Sequence, residues 1–232
     1  MPRIALIEDL TDVPIPAGSN ILITYDGVSE WYAAANTMVA GWIRSGGRVF
    51  YHVTVRPPES IRQQLVHLGL DTEQLETQRK LLIVDWYSAT LGQKSQEKNS
   101  FESLKVADMS IILAKRTREE PLPGVLQIAD SLSCLARFNE EKAWVDFVLS
   151  RIIPGTYATK STGIAGLLKG VHSEWVYRTL EGAFDGTIDF KLDETGENPQ
   201  NLMRIRNIRN VNFEGRWHQL NVDENFKVSL AK

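Results

Sequence analysis

In "TYDGVSEWY", residues 24–32, Asp26, Ser29 and Glu30 are packed into one turn between an apolar strand and a helical run. A strand, a glycine-bearing turn and a helix make the outline of a phosphate-binding unit. In such a unit the turn reads GxxxxGK[ST]: converging backbone N–H groups, an ammonium and a hydroxyl hold phosphate and magnesium. Where the lysine and hydroxyl would fall, this chain has Trp31 and Tyr32. Asp26 and Glu30 bring negative charge to a place where anion chemistry needs positive charge.

Other chemistry-bearing residues are more dispersed. Asp130 with Ser131 follows an apolar run, a position from which a carboxylate either helps hold magnesium or bonds nearby backbone. Trp86 and Tyr87 close another apolar run, and open α/β sheets take ligands at such strand ends, so they are candidate cleft aromatics. Arg204, Arg206 and Arg209 fall in one strand-like run, which suits either a solvated face or a contact with a subunit or phosphate. His52, His67, His172 and His218 lack ligand spacing to each other or to the single cysteine, so no metal site is expected. Cys134 sits in an apolar segment and is expected to be buried and inert. "AKRTREE", 114–120, reads as a helix end facing water.

The elements that must position these residues follow from periodicity. Strands are expected at Asn20 to Thr24, 48–55, 80–86, 124–132 and 161–167, and helices over 31–43, after Pro57 and Pro58 with Ile61, Leu65 and Leu68 until Gly69 ends it, around 103–118, over 140–153 and from near Ser173. After Asp185 the period becomes two: "TIDFKL", "LMRIRNIRN", "RWHQLNV" and "NFKVSL" read as antiparallel strands. Strands alternating with helices and then hairpins predict an α/β fold, a mostly parallel central sheet flanked by helices with C-terminal antiparallel strands, in one domain over residues 1–232.

Bulk properties narrow the function classes. A net charge of −3 gives nucleic acid no overall attraction. One cysteine excludes an internal disulfide and suits a reducing compartment. No apolar run approaches the roughly 18 residues of a membrane span, so a cytoplasmic protein is expected.

In their order along the chain, these phrases resemble the RecA-superfamily ATPases of the KaiC type. "IPAGSNILI" is similar to that family's entry to the phosphate loop, "SGGRVFYHVTVRPPESIRQQLVHLGLD" to its second strand and helix, and "LLIVDWYS" to its third strand. "IADSLSCLARFNEEKAWVDFVLSRI" is similar to its aspartate-bearing strand, and "RIRNIRN" with "RWHQL" to its C-terminal part. The resemblance implies a RecA-like three-layer fold and a register for the site. In that register the loop runs Tyr25, Asp26, Gly27, Val28, Ser29, Glu30, Trp31, Tyr32, and only Gly27 of its glycines remains. Val55 and Arg56 stand where the family carries two glutamates, one of which polarises the attacking water. Asp130 matches the aspartate that helps hold magnesium. Arg209 matches an arginine that reaches a neighbouring subunit's nucleotide, with Asn207 in place of its lysine partner.

Each lost charge-assisted hydrogen bond is worth about 1.5–3 kcal/mol, so losing several would move nucleotide binding into the millimolar range. The expectation is a catalytically inactive pseudo-ATPase of this family, with no cofactor and Mg·ATP held weakly if at all. It would act through a protein partner or an active paralogue, as a homo- or hetero-oligomer. Two alternatives stay open: a non-hydrolysing nucleotide or small-molecule sensor using the cleft, and a DNA-binding recombinase paralogue.

Overall fold

The computed structural model describes residues 2–119 and 124–231, with 115–119 described by their backbone alone. Most of "AKRTREE" therefore lies outside the described side chains. Among the described residues nine strands form one sheet: β1 (Asn20–Tyr25), β2 (Arg48–Val53), β3 (Leu81–Asp85), β4 (Val125–Ala129), β5 (Thr162–Leu168), β6 (Gly186–Asp193), β7 (Gln200–Ile208), β8 (His218–Val222) and β9 (Val228–Leu230). Their spatial order is β3-β2-β4-β5-β1-β6-β7-β8-β9. The first six strands in that order are parallel, and β6 to β9 pair antiparallel, as the change of period near Asp185 predicts.

Helices cover both faces. On one side lie α1 (Trp31–Arg44), α2 (Pro58–His67) and α3 (Thr72–Thr77), burying Met38, Val39, Ile61, Leu65 and Leu75. On the other, α4 (Tyr87–Thr90), α5 (Val106–Glu119), α6 (Glu141–Phe147), α7 (Ile153–Thr159) and α8 (Glu174–Ala183) supply residues such as Ala89, Met109, Trp144, Val148 and Leu180 to a second core. The result is a three-layer α/β fold, with β1 at its centre and buried along its whole length.

Three boundaries differ from the sequence expectation. The fourth strand stops at Ala129 because Ser131 caps a 3₁₀ turn over Leu132–Arg137, its side chain accepting from the Ser133 N–H. The helix expected over 140–153 runs on to Thr159. A π-turn at Val148–Ile152 passes it to α7, just before Pro154, a residue with no N–H to donate to the turn behind it. The short helix α3 was not expected: Asp71 caps it by accepting from the Gln74 N–H.

Candidate functional site

The loop between β1 and α1 emerges at the C-terminal edge of the sheet and closes on itself. Ser29 donates both its N–H and its hydroxyl to the Asp26 carbonyl, at 2.9 and 2.6 Å. One of the loop's amides is thus spent inside the turn. Gly27 has no positive φ, and a Cβ there would meet only the Leu168 side chain at 3.5 Å, so nothing in this backbone demands glycine. The Asp26 carboxylate lies 3.6 Å from the ammonium of Lys169, a cation that follows β5 and that no motif singles out.

Trp31 opens α1 and is 0% exposed. Its indole N–H crosses to β4's end and donates to the Asp130 carbonyl at 2.8 Å. The ring packs edge-on against Phe190 at 5.7 Å and tilted against Tyr25 at 6.2 Å. Tyr32 bonds the Tyr25 hydroxyl at 3.0 Å, and the Arg56 guanidinium lies over its ring at 4.9 Å. Burial pushes both tyrosine hydroxyls above their ordinary range. Val55 is exposed beside Arg56.

Asp130 is fully buried. Its Oδ1 accepts from the Thr54 N–H at 3.0 Å and the Thr54 hydroxyl at 2.5 Å, while Oδ2 has no partner among the described residues. Burial raises its carboxyl to about 6 against these hydrogen bonds. The same carboxylate contributes to raising Tyr51, buried on β2, and Cys134, whose thiol burial pushes up to about 12. The cysteine is buried, as expected. Tyr51 was missed, because a tyrosine in an apolar strand carries no sign that it will lie beside a carboxylate.

A carboxyl raised from 3.8 to about 6 makes the fold lose stability as pH rises through that interval, because the folded state holds the proton longer than the unfolded chain does. At about 1.4 kcal/mol per unit this amounts to roughly 3 kcal/mol, of which an amide, with its own N–H groups to satisfy, recovers about half. Asp130→Asn is accordingly expected to be more stable than the parent by about 1–2 kcal/mol at pH 8 and equal to it near pH 4. Urea titrations at the two pH values check this; a variant less stable at pH 8 would make Asp130 a carboxylate the fold needs charged.

Trp86 does not line the groove beside the loop. It is 2% exposed, its ring edge-on to His52 at 5.4 Å and Phe101 at 5.2 Å within the second core, where with His52 and Phe184 it lines a separate small cavity of about 60 Å³. Tyr87 follows it as the first residue of α4, half-buried. The three arginines are engaged inside the chain. Arg204 pairs with Asp189 at 2.9 Å and lies over Trp217 at 4.5 Å. Arg206 grips Glu181 with two hydrogen bonds, and Arg209 bonds the Gly182 carbonyl.

His172 meets Ser133 at 2.8 Å and Glu141 at 3.8 Å, the residue types of a nucleophilic triad. The trio is a staple instead. The Ser133 hydroxyl also accepts from the Leu168 N–H at 3.0 Å, the histidine side chain is 1% exposed, and its ring packs between Trp144 and Tyr177. Burial lowers the imidazole, so it is neutral at pH 7. Among the described residues no group of three His, Cys, Asp or Glu side chains could hold a metal ion, and no helix is long and apolar enough to cross a membrane.

Beside the loop, α1 and α2 leave a groove of about 480 Å³, lined among others by Val28, Asn36, Arg56, Gln64 and Phe226.

The model of the family described as "ATPase: KaiC" matches residues 15–229. The KaiC-like protein PH0186 from the hyperthermophilic archaeon Pyrococcus horikoshii OT3 superposes with a TM-score of 0.76 at 17% identity, over 100% of this chain and 97% of that one. No curated protein matches the sequence.

Proposed function

Because the chain belongs to the KaiC family of ATPases, we propose that it is a member that no longer hydrolyses nucleotide and acts by binding protein partners. The observation that carries this reading is Trp31. Its indole, 0% exposed and bonded to the Asp130 carbonyl, takes the volume between the first turn of α1 and the end of β4. In the family's register that volume belongs to the phosphate and its lysine. The carboxylates that would polarise water are replaced in the same register by Val55 and Arg56, and Arg56 rests on Tyr32. A protonatable, buried Asp130 that is turned toward Thr54 is a poor magnesium ligand. The scaffold then serves as a regulator, meeting a partner protein or an active paralogue in the cytoplasm, where the lone buried Cys134 stays reduced.

Calorimetric titration with Mg·ATP and Mg·ADP is the test. No heat is expected up to about 1 mM with the parent protein or with Trp31→Lys, since neither carries the loop geometry that converges N–H groups on a phosphate. Micromolar binding by the unmutated protein would remove this reading.

A further inference from the structure

The groove between α1 and α2 has features that describe an occupant. Arg56, Ser60, Gln64 and Leu68 line it in order: Arg56 in the bend before the N-cap Pro57, Ser60 and Gln64 one turn apart on α2, and Leu68 as its C-cap. The helix is 10 residues long, about 15 Å, the reach of four to five residues of extended chain. Facing the row from α1 is Asn36, 2% exposed. Its Nδ2 donates to the Gln64 Oε1, while its Oδ1, like the Ser60 hydroxyl, is buried with no partner among the described residues. Buried polar atoms in native proteins are nearly always paired, and an unmet amide oxygen and an unmet hydroxyl beside the Gln64 amide suit the N–H and C=O groups of a peptide.

The two ends of the row differ in character. At one end Arg56 has no carboxylate partner among the described residues and stands beside the N-terminus of α2, so fixed and mobile positive charge coincide. At the other end, Leu68 meets the groove beside Phe226, which is 55% exposed and edge-on to His67 at 5.9 Å. Val28, 71% exposed, adds an apolar wall from the loop. Glu30, also lining the groove, is its one acidic side chain among the described residues.

We infer that this groove binds the free carboxyl terminus of a partner polypeptide in extended conformation. Its carboxylate lies on Arg56, its last peptide groups on Asn36, Gln64 and Ser60, and its apolar side chains against Val28, Leu68 and Phe226. This rests on the partner-binding reading above and gives that partner a recognisable end.

Calorimetry on the full chain with the tetrapeptide Ac-Val-Ser-Ala-Leu, as the free acid and as its C-terminal amide, tests the assignment. The acid is expected to bind with a submillimolar Kd, about tenfold or more tighter than the amide. Arg56→Met should abolish that difference and Glu30→Gln should enlarge it about two- to fivefold, the signs being opposite because one removes a partner and the other a repulsion. Equal binding of acid and amide, weaker acid binding by Glu30→Gln, or silence of both peptides to about 5 mM overturns the inference. The nucleotide titration separates it from the reading it rests on: heat from Mg·ATP with the acid–amide difference intact removes the reading of a chain that has given up nucleotide for protein partners and leaves the groove standing. Silent peptides with silent nucleotide remove only the groove.

Discussion

Trp31→Ala is expected to lower the free energy of unfolding by about 3–5 kcal/mol, the range for deleting a fully buried large aromatic side chain. The indole is 0% exposed and contacts Tyr25 and Phe190, and it supplies the hydrogen bond to the Asp130 carbonyl across 99 residues of sequence. Removing it opens a hole on the central strand and strips a buried carbonyl of that donor. The surroundings are rigid: β1 is flanked on both sides by parallel strands, so collapse around the hole is limited. Guanidinium denaturation of parent and variant gives the difference directly. A loss below about 1 kcal/mol would mean that Trp31 is a tolerated passenger, and the volume it fills would again be available for a ligand. The variant is also expected to remain silent toward Mg·ATP, because the cavity brings back neither the lysine nor the loop's glycines.

Gly166→Ala tests the other wall of the same volume and is expected to cost about 2–3 kcal/mol. A Cβ at Gly166 would stand 2.5 Å from the Asp130 carbonyl oxygen and 2.6 Å from the Trp31 Nε1, distances that force the two apart. The backbone at this glycine is ordinary strand, so the cost is steric and not conformational. In a Trp31→Ala background the space beside the strand is partly vacated and the Asp130 end is no longer held by the indole. The penalty is therefore expected to fall by about 1 kcal/mol or more, a coupling that a double-mutant cycle measures. Additive losses would show that Trp31 and Gly166 do not share one packing problem.

Much of this architecture is written in local pattern. The alternation of "TIDFKL" and "LMRIRNIRN" announces β6 and β7, and the apolar stripe of 31–43 announces α1, because burial on one face imposes its period on the sequence. The parts of the site that pattern could not show are pairings between distant segments. Nothing near Gly166 says that a strand glycine makes room for a tryptophan 135 residues earlier, and nothing near Asp130 says that Thr54 will occupy one oxygen and leave the other unmet. Trp86 misled for a related reason: a tryptophan at a strand end looks the same in sequence whether its ring turns to the cleft or, as here, onto His52 and Phe101. The arginines of β7 gave no sign of Asp189 or Glu181, since those partners sit on a neighbouring strand and a helix whose approach only the fold determines.

The place of β1 in the sheet has a consequence for how the chain is made. Both its neighbours come late: Ile21 pairs with Ile164 on one side and Ile23 with Ile188 on the other. Once synthesised, β1 therefore waits for roughly 140 further residues before either edge finds its partner, about ten to thirty seconds at ordinary synthesis rates. Throughout that interval "NILITY" is an apolar ribbon with two open edges, the kind of segment chaperones bind and aggregates recruit. The strand that ends at the centre of the finished sheet is thus open to mispairing through most of the synthesis of these residues.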